Sequence, residues 1–144
     1  MQHATTNDVS NRTTLETLYD AFAQGDVETM KATLTDDIEW RVNGPAPVAG
    51  TYRGQEAVFA FFPRMMAQYE GTLQVDVVAV LADDHHGLVR VAERAECPGD
   101  GLAYSGVHVW DFRAGSCSRF ESYYDDTYAE FWSARSSSAE PAYS

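Results

Sequence analysis

Apolar residues recur at helical spacing through the first half of the chain and alternate at strand spacing through the second, with the change near Gly71. Thr13 or Thr14 is placed to cap a helix carrying Leu15, Leu18, Tyr19 and Phe22, which Gly25 ends. Asp26 then caps a short helix with Val27, Met30 and Leu34, read as ending at Thr35-Asp36-Asp37. Ile38, Trp40 and Val42 alternate as one face of a short strand. Residues 43–54 are rich in Gly and Pro and read as loop. A third helix is expected over 55–68, with Val58, Phe61, Phe62 and Met65 on one side and Pro63 set to kink or shorten it. Strands follow at about 72–81, 87–96, 103–113 and 117–125. A last helical turn is expected over 126–132. Three helices followed by a run of antiparallel strands is an α+β order. The chain reads as one domain over 13–132, between a flexible arm at 1–12 and a disordered tail at 133–144.

Strand parity assigns faces. On 87–96, Val89, Val91, Glu93 and Ala95 share one side, and Arg90, Arg94 and Glu96 mark the other as the wetter one. Glu93 is therefore expected to point inward. On 103–113, His108, Trp110 and Phe112 share a face; on the last strand Phe120, Ser122 and Tyr124 do. A hairpin pairing Val91 with His108 and Glu93 with Gly106 makes Glu93 and His108 diagonal neighbours, within side-chain reach. Gly106 would leave room opposite the carboxylate. A carboxylate beside an imidazole among aromatic rings reads either as an acid–base pair or as a buried pair satisfying its own hydrogen bonds.

Composition narrows the chemistry. Aromatic residues make up 12% of the 144 residues, enough to line a pocket for a flat, hydrophobic ligand as well as a core. The net charge is −12 and Lys31 is the single lysine, which leaves no basic patch for nucleic acid or an anionic membrane. Cys97 and Cys117 are too few to staple a secreted scaffold, the first residues lack a signal-peptide core, and no apolar run spans a bilayer. A cytoplasmic protein is expected. His85 and His86 follow Asp83-Asp84 in a turn, where adjacent side chains diverge, so no metal site is expected. Gly99, Gly101 and Gly106 lack the strand-to-helix setting of a dinucleotide loop, and no cofactor is expected.

Several stretches resemble the SnoaL-like group of the nuclear transport factor 2-like superfamily, which includes ketosteroid isomerase, scytalone dehydratase and limonene epoxide hydrolase. They are Leu18-Tyr19-Asp20-Ala21-Phe22-Ala23-Gln24-Gly25-Asp26, Asp36-Asp37-Ile38-Glu39-Trp40, Ala49-Gly50-Thr51-Tyr52-Arg53-Gly54 with the helix after it, His108-Val109-Trp110-Asp111-Phe112-Arg113, and Arg119-Phe120 through Asp125. The resemblance implies a cone: a curved, mixed, mostly antiparallel sheet wrapped around three N-terminal helices, a pocket inside it, and a homodimer through the sheet's outer face. Ketosteroid isomerase works with an Asp base and an oxyanion hole of Tyr and protonated Asp. Counting from the shared Gly-Asp, those positions fall on Val42, on Leu18 (beside Tyr19) and on His108. Steroid isomerisation by that site is therefore not implied. In the polyketide cyclases of the group an acid near the end of the last strand is the base, which matches Asp125, or Asp126 in a second alignment. Both acids also suit a helix cap.

The expected activity is cofactor-independent proton transfer on a hydrophobic, polyketide-like molecule: cyclisation, isomerisation or dehydration. Glu93, His108 and Asp125 are the catalytic candidates, and Tyr19, Trp40, Phe61, Met65, Trp110 and Tyr124 the expected pocket walls. Epoxide opening, which needs a second inward acid, and a non-catalytic binding or dimerisation module stand as alternatives.

Overall fold

A computed structural model describes the backbone of residues 2–139 and the side chains of residues 10–135. Helix α1 spans Gln2–Gln24 and buries Leu15, Leu18 and Ala21. Gly25, at φ +70°, takes the left-handed turn that ends it, and the amides of Gly25 and Asp26 bond back to the Phe22 and Ala21 carbonyls. The helix starts at Gln2 instead of Thr13 or Thr14, so residues 2–12 of the expected arm are helical. Asn11 is buried and its amide donates to the Asp83 and Asp84 carbonyls at 2.9 and 3.2 Å, a tertiary anchor that periodicity does not reveal.

Asp26 caps α2 (Val27–Thr33) by accepting from the Thr29 amide and hydroxyl. The helix stops two residues early, because Leu34 already belongs to β1 (Leu34–Val42). The segment expected as loop contains β2 (Gly50–Arg53), a four-residue strand paired antiparallel to β1. Helix α3 (Gln55–Gln68) runs unbroken past the exposed Pro63 and buries Val58 and Phe61. The remaining strands are β3 (Gln74–Ala82), β4 (His86–Ala95), β5 (Leu102–Arg113) and β6 (Ser116–Tyr124). Helix α4 (Asp126–Ala139) is longer than the single turn expected and takes in the start of the expected tail; residues 140–144 lie outside the described residues. Tyr128 and Trp132, one helical turn apart, are its buried residues among those whose side chains are described, and they tie it down.

The six strands form one curled, open sheet in the order β2-β1-β6-β5-β4-β3. Only β1 and β6 are parallel; every other neighbouring pair is antiparallel. This is the expected α+β cone, with α4 lengthened and β2 added. Alternation holds: Val89, Val91, Glu93 and Ala95 are buried on β4, and Tyr104, His108, Trp110 and Phe112 on β5. The hairpin register differs from expectation by two residues. Val91 faces Gly106, Val89 faces His108 and Glu93 faces Tyr104, because Leu102 pairs with Ala95 across a tighter turn. A slip of two leaves every side chain on its face, which is why the inward assignment survives the error. No helix among the described residues is long and apolar enough to cross a membrane.

Candidate active site

A cavity of about 80 Å³ lies between the helices and the concave face of the sheet. Tyr19, Trp40, Phe61, Met65, Trp110 and Tyr124 stand on its wall, as do Glu93 and His108. One side is carbon: Trp40 stacks on Phe120 with ring centroids 3.9 Å apart, and Trp110 meets both edge-on. Beside it lies a polar cluster built on Glu93 of β4, Tyr104 and His108 of β5, Tyr124 at the end of β6 and Tyr19 of α1, with the His108 ring centroid 4.9 Å from that of Phe120.

Glu93 and His108 are 4% and 6% exposed, and His108 Nε2 lies 3.3 Å from Glu93 Oε2. In the observed register their backbones are four residues apart along the strand direction, about 13 Å. The concave curl and the missing side chain at Gly106 let the tips meet. The room at Gly106 is not empty: a Cβ there would lie 2.3 Å from the Tyr123 carbonyl oxygen and 2.4 Å from Tyr124 Cδ1. Tyr124's ring occupies that space, which brings its hydroxyl between carboxylate and imidazole.

Counting hydrogens assigns the network. Glu93 Oε1 accepts from the Tyr104 hydroxyl at 2.5 Å and Oε2 from the Tyr124 hydroxyl at 3.0 Å. Tyr124 has then spent its only proton, so the 2.8 Å contact with His108 must be donated by Nε2–H. The neutral ring's Nδ1 accepts from the Tyr19 hydroxyl at 2.5 Å, and Trp110 Nε1–H donates to the Tyr19 oxygen at 3.1 Å. Tyr69 and Tyr104 hydroxyls lie 3.1 Å apart, which gives Tyr69 a partner too. An anionic Glu93 with a neutral, Nε2-protonated His108 satisfies every proton. Burial pushes the Tyr19, Tyr104 and Tyr124 hydroxyls well above the ordinary tyrosine value, and the Glu93 charge pushes the same way. They remain donors at neutral pH.

Asp125 is not in this cluster. It is exposed, Oδ1 accepts from the Tyr128 amide at 3.3 Å and Oδ2 from the Ser105 amide at 3.1 Å, so it caps α4 and pins it to β5. Asp126 sits exposed in the first turn of that helix. No bulge turns either inward, and Glu93 is the only carboxylate on the cavity wall among the described residues. His85 and His86 are exposed with their amides bonded to Asp83 Oδ1, and no three His, Cys, Asp or Glu side chains among the described residues converge for a metal. Burial pushes the Cys117 thiol up to about 12.

The wall also contains residues that sequence reasoning passed over. Tyr104 carries the right parity, and alternation alone could have named it; Ser122, already read on one face with Phe120 and Tyr124, also stands on the wall. Gln68 and Tyr69, at the end of α3, and Tyr128 on α4 have no such signal, since packing brings those elements over the cavity.

Solved structures share this architecture. Bal32a, from a soil-derived mobile gene cassette, is 29% identical with a TM-score of 0.80, over 88% of this chain and 98% of its own. TerC, co-crystallised with polyporic acid, is 18% identical with a TM-score of 0.75, over 85% and 97%. An LEH-like epoxide hydrolase from M. tuberculosis is 18% identical with a TM-score of 0.66, over 86% and 88%. At such identities the last two speak for the fold alone. No curated protein matches the chain. The sequence model of the SnoaL-like domain matches residues 15–120, the stretch that supplies most of the cavity wall, and the chain belongs to that family.

Proposed function

We propose that the chain is a cofactor-independent enzyme that moves a proton on a hydrophobic, ring-bearing, polyketide-like small molecule. The observation that supports this reading is the buried Glu93–His108 pair on the wall of an apolar cavity. Carboxylate and imidazole are both costly to bury, and here they end in a hydroxyl that borders the cavity. A proton leaving a ligand carbon beside a carbonyl passes to the Tyr19 oxygen as Tyr19 hands its own proton to His108 Nδ1. The imidazolium so formed lies against the Glu93 carboxylate, which holds the tautomer and balances the charge. Returning the proton to another carbon is an isomerisation; giving it to a departing hydroxyl is a dehydration; attack of the carbanion on a second carbonyl of the same molecule, whose C=O π bond opens to an alkoxide that takes the proton, is a cyclisation.

Epoxide opening fits less well, because among the described residues the cavity wall holds no acid besides Glu93. A non-catalytic binding module is the second reading, favoured by one observation: Glu93 and His108 already have protein partners for their polar atoms. A homodimer through the sheet's outer face, where Leu81 and Tyr123 are 65% and 48% exposed, belongs to either reading.

Deuterium exchange separates them. Cyclic ketones from cyclohexanone to 2-tetralone, incubated in D2O, should exchange their α-hydrogens faster with the protein. Glu93→Gln and His108→Ala should each slow that exchange by about 100-fold or more. Full exchange by both folded variants would remove the assignment, and binding without exchange by the wild type would favour the binding module.

A further inference from the structure

Two residues of the cavity wall each carry a buried polar atom without a partner among the described residues: Ser122 Oγ and Gln68 Oε1. Ser122 is 1% exposed. Its backbone is held firmly, with its carbonyl accepting from Asn43 Nδ2 at 2.9 Å and His108 and Val42 as its cross-strand neighbours. Its hydroxyl therefore stands beside the imidazole on an inward face. Around it, Tyr19, Tyr104, Tyr124, His108 and Glu93 all find partners among themselves. Gln68 is the last residue of α3, and its buried oxygen can only accept. Buried polar atoms without partners weaken a fold, so their retention on a cavity wall calls for a partner that arrives from outside.

We infer that Ser122 and Gln68 are the two recognition positions of this cavity, and that its ligand is a hydrocarbon ring frame with an oxygen met by Ser122 and a separate O–H or N–H met by Gln68. This rests on the proposed reading of the cavity as a ligand site and deepens it by naming the ligand's polar groups. The oxygen beside Ser122 is also beside His108, where proton transfer needs it. A pure hydrocarbon would leave both wall atoms unpaired, and a ligand with a single oxygen would leave Gln68 so.

Calorimetric titration with tetralin, 2-tetralone and 6-hydroxy-2-tetralone tests this on the intact chain. Each added polar group should tighten Kd by about tenfold in the wild type, the worth of one well-made buried hydrogen bond. Ser122→Ala should abolish the gain from tetralin to tetralone and leave tetralin unchanged. Gln68→Met should abolish only the gain from the added hydroxyl. Ligand-free Ser122→Ala should melt no lower than the wild type, since it loses an unpaired buried group; a merely structural role predicts the reverse. Equal affinity for all three probes, no binding of any, uniform weakening by either variant, or a lowered Tm of Ser122→Ala would overturn the inference. Water as the sole partner predicts that first pattern. Deuterium exchange of 2-tetralone reads the chemistry separately: its absence beside an intact affinity ladder sinks the proton transfer alone, and its persistence without the ladder sinks the recognition alone.

Discussion

The two walls of the cavity solve opposite problems. On the carbon wall, Trp40, Phe61, Trp110 and Phe120 lock together by shape, and any arrangement that fills the space at low strain would serve. On the polar wall, the hydroxyl protons of Tyr19, Tyr104 and Tyr124 each have one destination, and removing one of these groups leaves another unpaired. Stability is drawn from the first wall, and the proposed proton transfer is assigned to the second. The two touch at Trp110, whose ring packs against Trp40 while its N–H holds the Tyr19 oxygen.

The comparison breaks hardest at that junction. Trp110→Ala should cost about 4 kcal/mol in urea unfolding, by emptying a fully buried indole site. It should also release Tyr19, so that exchange of cyclic ketones falls in whatever protein stays folded. A loss under about 1 kcal/mol would mean that the carbon wall is not the source of stability.

Alkaline titration reads the polar wall alone. Tyr19, Tyr69, Tyr104, Tyr124 and Tyr128 are all held above the ordinary tyrosine value, chiefly by burial. The folded state thus keeps protons that the unfolded chain gives up above about pH 10. Their contribution is whole below that pH and is lost as pH rises from there toward the folded values. Phenolate absorbance from these tyrosines should appear in one cooperative step with the loss of circular dichroism. Gradual ionisation in a folded protein would show that water already reaches the wall.

The smallest effect expected is at Asp125. Asp125→Ala should cost about 1 kcal/mol, the worth of a helix cap, and leave ketone exchange unchanged. Lost exchange with an intact fold would return this acid to the chemistry and extend the polar wall to the strand end.

Much of this molecule is legible along the chain, and the errors share a cause. Glycine and aspartate mark the end of α1 and the start of α2 because their signals act within a few residues. The short β2 strand is invisible in a Gly/Pro-rich stretch because its only reason to be extended is its pairing with β1. The missed start of α1 depends on Asn11 reaching a turn more than seventy positions away. In the site, parity alone turns Glu93, His108, Trp110, Ser122 and Tyr124 inward, and would have added Tyr104.

What the sequence determined by itself is therefore the set of elements and the face on which each side chain falls, because helical and strand periods are properties of the local backbone. The hairpin register, the filling of the space at Gly106 by Tyr124, the removal of Asp125 to a cap and the closure of the cavity by Tyr69 and Tyr128 were decided in three dimensions. Each depends on which strand or helix end lies opposite, and the curl of the sheet brings together tips that lie far apart along the chain.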